Sequence, residues 1–225
     1  MNQDNKHIYL KPGEKAPEEI LNKLKEANSN FTESKNFPKY MKAIEEIFKL
    51  TPPKITTDGK FFMAGFIEGE GSINVSCKKS ENAKFGLLID PEFSITQHIN
   101  GVQNLYNAMA VFQAGRIRHK SAEISAATLV LTIDNRLTIE QKVFPFWENY
   151  ITPYSSPYKQ NRFYKFKKLM SLFNAGCHSN LNGIVDQILP IWDSLRMQKG
   201  QSNESFVSLE DAQNYARNFI SDKQK

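Results

Sequence analysis

The sequence predicts an α+β fold in which an antiparallel four-stranded sheet is covered by helices in the order αββαββα. Three observations support this prediction: one helix–hairpin–helix–hairpin–helix pattern between Thr56 and Gly176, alternation of apolar and polar residues in the hairpins, and helix-breaking residues at both borders. We therefore divide the chain into an N-terminal helical extension (1–55), a core (56–176) and a C-terminal helical extension (177–225).

Composition excludes several classes of protein. The 225 residues carry 29 Lys and Arg against 24 Asp and Glu, a net charge of +5 that permits a polyanionic partner without requiring one. A hydrophobic content of 40% is too high for a disordered chain. Two cysteines, Cys77 and Cys177, do not make a disulfide scaffold or a four-ligand zinc site. No apolar run is long enough to span a membrane, and the first residues lack the apolar segment of a signal peptide.

Proline and glycine mark the helices of the first third of the chain. Pro17 opens a helix over 18–27, and Thr51-Pro52-Pro53 ends the next helical run. The first core helix holds four large apolar residues around the pair Ala64-Gly65 and ends at 68–71. Because Ala and Gly are small, we expect another backbone to approach this helix closely.

Period-two alternation predicts the first hairpin. Residues 73–78 place apolar side chains on one face and polar ones on the other, and the second strand, from about 84 to 99, repeats the pattern. Gln97 breaks the alternation, because this polar residue falls on the apolar side.

The second hairpin and the remaining helices follow the same signals. Residues 116–120 place three cations on one strand face, 128–134 form the partner strand, and the loop from Ser121 to Ala127 is small and polar. Helical spacing of apolar residues predicts helices over 102–112, 139–147, 159–173 and 184–195, with another that starts at Ser208.

The end of the first core helix carries charge of the unexpected sign. The C-terminal end of a helix has partial negative charge and favours cations, yet Glu68 and Glu70 lie there. We expect Gly69 to release the chain so that Glu70 points along the helix axis. A hard divalent cation such as Mg²⁺ would resolve the conflict, because it prefers carboxylate and carbonyl oxygens. A solvated Gly-Glu-Gly turn is the alternative.

Residues 62–73, Phe-Met-Ala-Gly-Phe-Ile-Glu-Gly-Glu-Gly-Ser-Ile, closely resemble the signature of the LAGLIDADG homing endonucleases. The αββαββα order matches the core of that family, and one copy of the motif is typical of its homodimeric branch. The stretches 90–98 and 115–121 are similar to group I intron-encoded members from chloroplast large-subunit ribosomal RNA genes.

The resemblance implies roles for particular residues. Glu70, with help from the Gly69 carbonyl, binds catalytic Mg²⁺, which Ca²⁺ or Mn²⁺ can replace; Gln97 organises water at the scissile phosphate; Lys159 aligns loosely with the catalytic lysine of the family. The motif helices of two subunits pack together through Phe62, Ala64, Gly65, Ile67 and Glu68.

The resemblance also implies a curved sheet that forms a saddle for double-stranded DNA. The polar strand face supplies the expected DNA contacts Asn74, Ser76, Lys78, Ser94, Thr96, Arg116, Arg118, Lys120 and Thr132. A second basic group, expected to bind phosphates, consists of Lys159, Arg162, Lys165, Lys167 and Lys168.

The expected activity is a staggered double-strand break with 3′ overhangs in a long pseudo-palindromic site, which promotes intron homing in a chloroplast or, alternatively, a mitochondrion. An intron maturase, or a nucleic-acid-binding protein that no longer cuts, is the alternative from the same fold. A histidine–metal nuclease built on His7, His98, His119 and His178 is disfavoured, because these residues are widely separated.

Overall fold

The predicted α+β fold is confirmed by a computed structural model, which describes residues 8–11, 13–120, 127–196 and 205–223. Most of the predicted loop from Ser121 to Ala127 therefore lies outside the described residues, and so does His7. The chain forms two compact units, one made of 1–72 and 93–154 and the other of 73–92 and 155–225. The division into a core with two extensions stays a prediction.

The first unit begins with two helices, α1 (Glu18–Asn30) and α2 (Phe37–Phe48). Pro17 precedes α1, as predicted, and Lys49 ends α2 in the left-handed conformation with φ 52°. Leu24, Tyr40, Ile44 and Phe48 are buried, so both helices contribute one side to the core of this unit.

Three further helices complete the first unit: α3 (Thr57–Glu70), α4 (Val102–Phe112) and α5 (136–151), whose segments Ile139–Val143 and Trp147–Ile151 are π-helical. Side chains cap two of their N-terminal ends. The Thr56 hydroxyl accepts from the Gly59 N–H at 3.1 Å, and Asn135 Oδ1 accepts from the Thr138 N–H at 2.9 Å.

The strands are β1 (Gly71–Lys79), β2 (Leu87–His98), β3 (Arg116–His119) and β4 (Thr128–Ile133). Within the described residues they form one four-stranded sheet with the order β1-β2-β4-β3. β4 pairs antiparallel with β2 and β3, and this register aligns Ser94, Thr132 and Arg116 in one row and Thr96, Val130 and Arg118 in the next. β3 is therefore a terminal strand of the sheet.

Aromatic rings fill the core of the first unit between the sheet and its helices. The Phe93 ring meets Phe112 edge-on at 5.3 Å and Trp147 at 6.2 Å. Trp147 and Phe93 are completely buried. Burial of this kind stabilises a fold by about 2–3 kcal/mol per large side chain, so this cluster fixes α4 and α5 against β2.

The second unit packs helices α6 (Pro157–Asn174), α7 (181–195) and α8 (Leu209–Lys223) with the hairpin end of β1 and β2. Trp192, Phe206 and Cys77 are buried in its core, and burial raises the pKa of the Cys77 thiol to about 12. Gly86 has φ 72°, and an added Cβ there would lie 2.7 Å from the Phe219 ring. Glycine is therefore required where α8 covers the hairpin.

None of the helices in the described part of the chain is long and apolar enough to cross a membrane.

Candidate active site and nucleic-acid interface

Helix α3 is apolar on more than one side, and only one of those sides is buried. Met63 and Ile67 are 1% and 0% exposed and belong to the core of their own unit. Phe62, one position along the helix, is 63% exposed. A phenylalanine with this exposure, on a helix whose other side is buried, marks a surface that is suited to contact with another molecule.

The exposed side of α3, which we name the open face, consists of Asp58, Phe62, Gly65 and Gly69. These residues are four, three and four positions apart, so they line one side of a helix. A Cβ added at Gly65 or Gly69 would meet nothing within 4 Å. Neither glycine is required by packing within the chain, so both leave room for a second backbone.

Two residues predicted for the dimer interface lie elsewhere. Ala64 is 4% exposed and Ile67 is completely buried, so neither has surface available to a partner. The prediction was wrong for these two residues because the motif helix packs its small and large apolar residues together into its own unit. Glu68 is half-buried, and Phe62 and Gly65 are exposed, so their place in a dimer interface stays a prediction.

The acidic end of α3 extends further than predicted. The helix continues through Gly69 to Glu70, and the chain leaves it at Gly71, which has φ −81° and ψ 143°. An added Cβ at Gly71 would lie 2.6 Å from the Ile67 carbonyl oxygen. The prediction that Gly69 releases the chain is therefore wrong, because close contact with the preceding turn requires glycine at Gly71 instead.

Glu70 combines with the helix end to form a set of hard oxygen donors. Its side chain is exposed at the negative end of the helix dipole, and the Gly69 carbonyl belongs to the last turn, whose carbonyls mostly lack intrahelical donors. Carboxylate and carbonyl oxygens fit Mg²⁺ or Ca²⁺. The described residues contain no cluster of three or more His, Cys, Asp or Glu that could hold a metal. An ion at Glu70 would therefore need ligands besides the His, Cys, Asp and Glu side chains of the described residues.

Gln97 lies in the same unit, near the end of β2, opposite Leu129 on β4. Its side chain is half-buried and folds over the backbone of the following turn, because a Cβ added at Gly101 would lie 2.5 Å from Gln97 Oε1. Gly101 therefore makes room for the Gln97 amide. The Gln97 amide therefore lies against the 3₁₀ turn Ile99–Gly101.

Lys159 lies in the first turn of α6, in the second unit. The Ser156 hydroxyl caps this helix by accepting the Lys159 backbone N–H at 3.3 Å, and the Lys159 side chain is half-buried. Its catalytic role stays a prediction.

The polar face of the sheet is less uniformly exposed than expected. Lys78, Arg118 and Lys120 are exposed, and Asn74, Ser76 and Thr96 are half-buried. Ser94 and Thr132, by contrast, are only 8% and 5% exposed. The expectation that these two side chains face solvent was wrong, because both are short and Thr132 lies between two cross-strand neighbours.

The structure also places Val130 in this face, between Thr96 and Arg118. The sequence pattern did not identify Val130 as part of this face, because an apolar residue breaks the polar pattern of the strand. A half-buried apolar side chain in this position suits contact with a thymine methyl group.

Two arginines predicted to contact nucleic acid are engaged within the protein. Arg116 is half-buried and donates to the Phe31 carbonyl oxygen. Arg162 is 9% exposed and donates to the carbonyl oxygens of Leu195 at 2.9 Å and Ile73 at 3.3 Å. The assignment of Arg162 to a solvated phosphate-binding cluster was wrong, because this guanidinium satisfies buried carbonyls of β1 and α7.

The surface of α6 nevertheless suits a polyanion. Residues 149–185 contain no Asp or Glu, and the exposed side chains of α6 include Asn161, Tyr164 and Lys168. Tyr164 is 52% exposed. The absence of Asp and Glu from residues 149–185 is the sequence signal that could have identified this surface, rather than the individual lysines.

The fold, the glutamate-terminated helix and the polar sheet face together define a class of protein: the chain belongs to the LAGLIDADG endonuclease family, whose model matches residues 63–170. It is 52% identical over 213 residues to DNA endonuclease I-CeuI of Chlamydomonas moewusii, covering 95% of this chain and 97% of that protein.

Solved structures show the same similarity. The group I intron-encoded homing endonuclease I-CeuI complexed with DNA matches with a TM-score of 0.89 and 52% identity, covering 93% of this chain and all of that chain. The archaeal intron-encoded homing endonuclease I-Vdi141I complexed with DNA matches with a TM-score of 0.61 and 25% identity, covering 72% of this chain and 96% of that chain.

Arg162 is buried and Lys168 is exposed on the same helix, so replacing the first should lower stability and replacing the second should weaken DNA binding. Replacing Arg162 with Ala leaves two carbonyls without donors and a void, so we expect a loss of about 3 kcal/mol in the free energy of unfolding. Replacing exposed Lys168 with Ala should change stability by less than about 0.5 kcal/mol but weaken the binding of duplex DNA and reduce its salt dependence. Denaturant unfolding and DNA titration at several salt concentrations measure both effects. An Arg162→Ala protein of normal stability would contradict this assignment.

Proposed function

We propose that this protein is a homodimeric, divalent-metal-dependent DNA endonuclease that makes a staggered double-strand break, with 3′ overhangs, in a long pseudo-palindromic site. The observation that carries the proposal is the position of Glu70, an exposed carboxylate at the end of a helix whose open face is lined by Phe62, Gly65 and Gly69. Pairing of two such helices would bring two identical carboxylates together at a symmetry axis.

Glu70 and the Gly69 carbonyl are the proposed metal ligands in each subunit. A bound divalent ion supplies Lewis acidity, which polarises a phosphate and lowers the pKa of a water that attacks it. The protein's own contribution is to hold a carboxylate rigidly at the end of α3, whose buried residues Met63 and Ile67 fix the helix in the core. Mg²⁺ is the proposed physiological ion.

Gln97 and Lys159 are the proposed polar partners of the reaction. The Gln97 amide can donate to and accept from a water molecule, and Gly101 leaves it the space to keep one position. The Lys159 ammonium group would stabilise negative charge that develops on the phosphate.

The polar face of the sheet is the proposed reader of DNA sequence. Arg118 can bond a guanine edge through two N–H groups, Asn74 suits adenine, and Val130 suits a thymine methyl. Lys78, Lys120 and the exposed side of α6 would contact phosphates, which position the protein without carrying sequence information.

Homing of the intron that encodes the chain is the proposed biological outcome, in an organelle and most simply a chloroplast. Support comes from the similarity to an intron-encoded homing endonuclease and from the 20 Asn residues, which fit an A/T-rich genome. The maturase alternative is not favoured, since the relatives carry endonuclease names and this chain has a glutamate, Glu70, at the end of its motif helix.

Replacing Glu70 with Gln tests the proposed function directly. The substitution keeps the size of the side chain and removes its charge, so cleavage of target DNA in Mg²⁺ should fall by at least about a hundredfold while DNA binding in Ca²⁺ persists. The matched control is Glu26→Gln, an exposed glutamate on α1, which should cleave normally. Full-rate cleavage by Glu70→Gln would refute the assignment.

Gly101→Ala tests the role of Gln97 without altering Gln97 itself. The backbone of Gly101 has φ −98°, which alanine adopts readily, but the new Cβ would displace the Gln97 amide. We therefore expect unchanged or slightly higher thermal stability, unchanged DNA affinity and a cleavage rate reduced about as much as in Gln97→Ala. A normal single-turnover cleavage rate in Gly101→Ala would show that catalysis does not need the Gln97 side chain in its observed position.

Phe62→Glu tests the open face of α3 as the dimer contact. A charged residue at the centre of an apolar helix contact should shift the protein from dimer to monomer, as measured by light scattering, without unfolding it. Leu137→Glu is the control, because Leu137 is 59% exposed on α5 and should leave the mass unchanged. An unaltered dimer mass in Phe62→Glu would exclude this surface.

A further inference from the structure

The outer edge of β3 is covered by side chains. β3 is the terminal strand of the sheet, so the N–H and C=O groups on its outer edge have no neighbouring strand. Ile117 presents such a pair of groups. It lies opposite Leu131 of β4, but the Lys120 N–H donates to the Thr128 carbonyl oxygen at 2.9 Å, so in this antiparallel register the even-numbered residues bond β4 and the N–H and C=O of Ile117 face the outer edge. Helices α1 and α2 supply the partners.

Two side chains reproduce the hydrogen bonds that a fifth strand would make with Ile117. The Ile117 N–H donates to Tyr40 Oη at 3.0 Å, and Asn28 Nδ2 donates to the Ile117 carbonyl oxygen at 2.9 Å. Tyr40 Oη in turn donates to Asn28 Oδ1 at 3.0 Å, which closes a ring of three hydrogen bonds. Tyr40 is 3% exposed, and burial raises its pKa to about 12, so the hydroxyl stays protonated.

The same two helices hold Arg116. The Phe31 ring stacks on the Tyr40 ring with 4.6 Å between centroids and 12° between planes, and the Arg116 guanidinium lies 4.7 Å from the Phe31 centroid on that ring. The guanidinium also donates to the Phe31 carbonyl oxygen. To bond a base edge, Arg116 would have to give up both contacts.

We propose that Asn28, Phe31 and Tyr40 form a brace that positions β3 for DNA recognition, and that Arg116 belongs to this brace while Arg118 reads the base. The inference rests on the proposed function, because it requires the sheet face to contact DNA. It assigns the first two helices a role in sequence specificity without any contact to DNA. It also gives different roles to Arg116 and Arg118, which the sequence pattern places on the same strand face.

The geometry explains why such a brace affects specificity. β3 has four residues, and a short terminal strand is held on one side only unless its outer edge is also bonded. Bidentate recognition of a base tolerates little movement of the arginine backbone. Because Arg118 follows Ile117 directly, the two hydrogen bonds of Ile117 fix the backbone from which Arg118 extends.

The test compares full-length variants in two measurements. The first is amide hydrogen exchange at Ile117, and the second is the preference for each base pair across a library of variant target sites. The brace variants are Tyr40→Phe, Phe31→Leu and Arg116→Ala, with the double variant of the last two. Arg118→Ala is the reference for a base reader, and Tyr9→Phe, on a ring that is 77% exposed in the same unit, is the control.

We expect Tyr40→Phe to accelerate exchange at the Ile117 amide by at least about tenfold, because that N–H loses its acceptor. All three brace variants should flatten the base preference at the positions that Arg118→Ala affects, and the double variant should be no worse than Arg116→Ala alone. A simple loss of folded protein would lower the affinity for every site equally and leave the preferences unchanged.

Two results would overturn the inference. One is a base-pair position that Arg116→Ala relaxes and that Phe31→Leu and Arg118→Ala leave intact, which would make Arg116 a reader of its own. The other is an unchanged preference profile in Tyr40→Phe and Phe31→Leu while Arg118→Ala changes it. If Arg118→Ala changes no position, Arg118 does not read a base and the inference fails, whereas the cleavage assay of Glu70→Gln tests the proposed function separately.

Discussion

The rest of the structure depends on the way in which α3 divides its surface. Met63, Ala64 and Ile67 pack into the core of their own unit, so the position of the helix is fixed by burial. The opposite side is left open by two glycines and an exposed Phe62. The helix ends in Glu70, against the sign of its own dipole, so the carboxylate is favoured there only if a cation joins it. One helix thus carries a buried anchor, an exposed face and an exposed carboxylate at its end.

The second constraint is that only some side chains of the polar sheet face are exposed. One row of this face contains the short, buried side chains of Ser94 and Thr132, while exposed Arg118 lies in the next row and exposed Lys120 follows β3. Exposed side chains therefore occupy particular positions of the face rather than all of it. Arg116 and Arg162 are likewise engaged within the protein, since each guanidinium donates to carbonyl oxygens of the backbone.

Much of this could be predicted from sequence because the signals are local. Pro17 and the 51–53 turn punctuate helices, period-two alternation identifies the strands, and the displaced Gln97 marks a position that packing alone does not explain. The glutamate at the helix end was found for the same reason, because a charge in conflict with the helix dipole is visible within one turn.

The remainder could not be predicted, because it depends on residues far apart in the chain. Helix α3 is apolar on adjacent sides, so its sequence does not tell which of Phe62 and Met63 is buried. The partner of Arg116 is 85 residues away, and the two partners of Arg162 are 33 and 89 residues away. A strand pattern gives the face on which an arginine lies, but not whether another element has already engaged it.

In the proposed dimer, two copies of Glu70 meet at one metal-binding site over the DNA backbone. The most direct measurement is anomalous diffraction at the manganese edge from crystals of the protein with its target duplex and Mn²⁺. Anomalous peaks should lie within coordination distance of Glu70 from both subunits. Peaks bound by other residues, with both Glu70 side chains turned away from metal and phosphate, would contradict it.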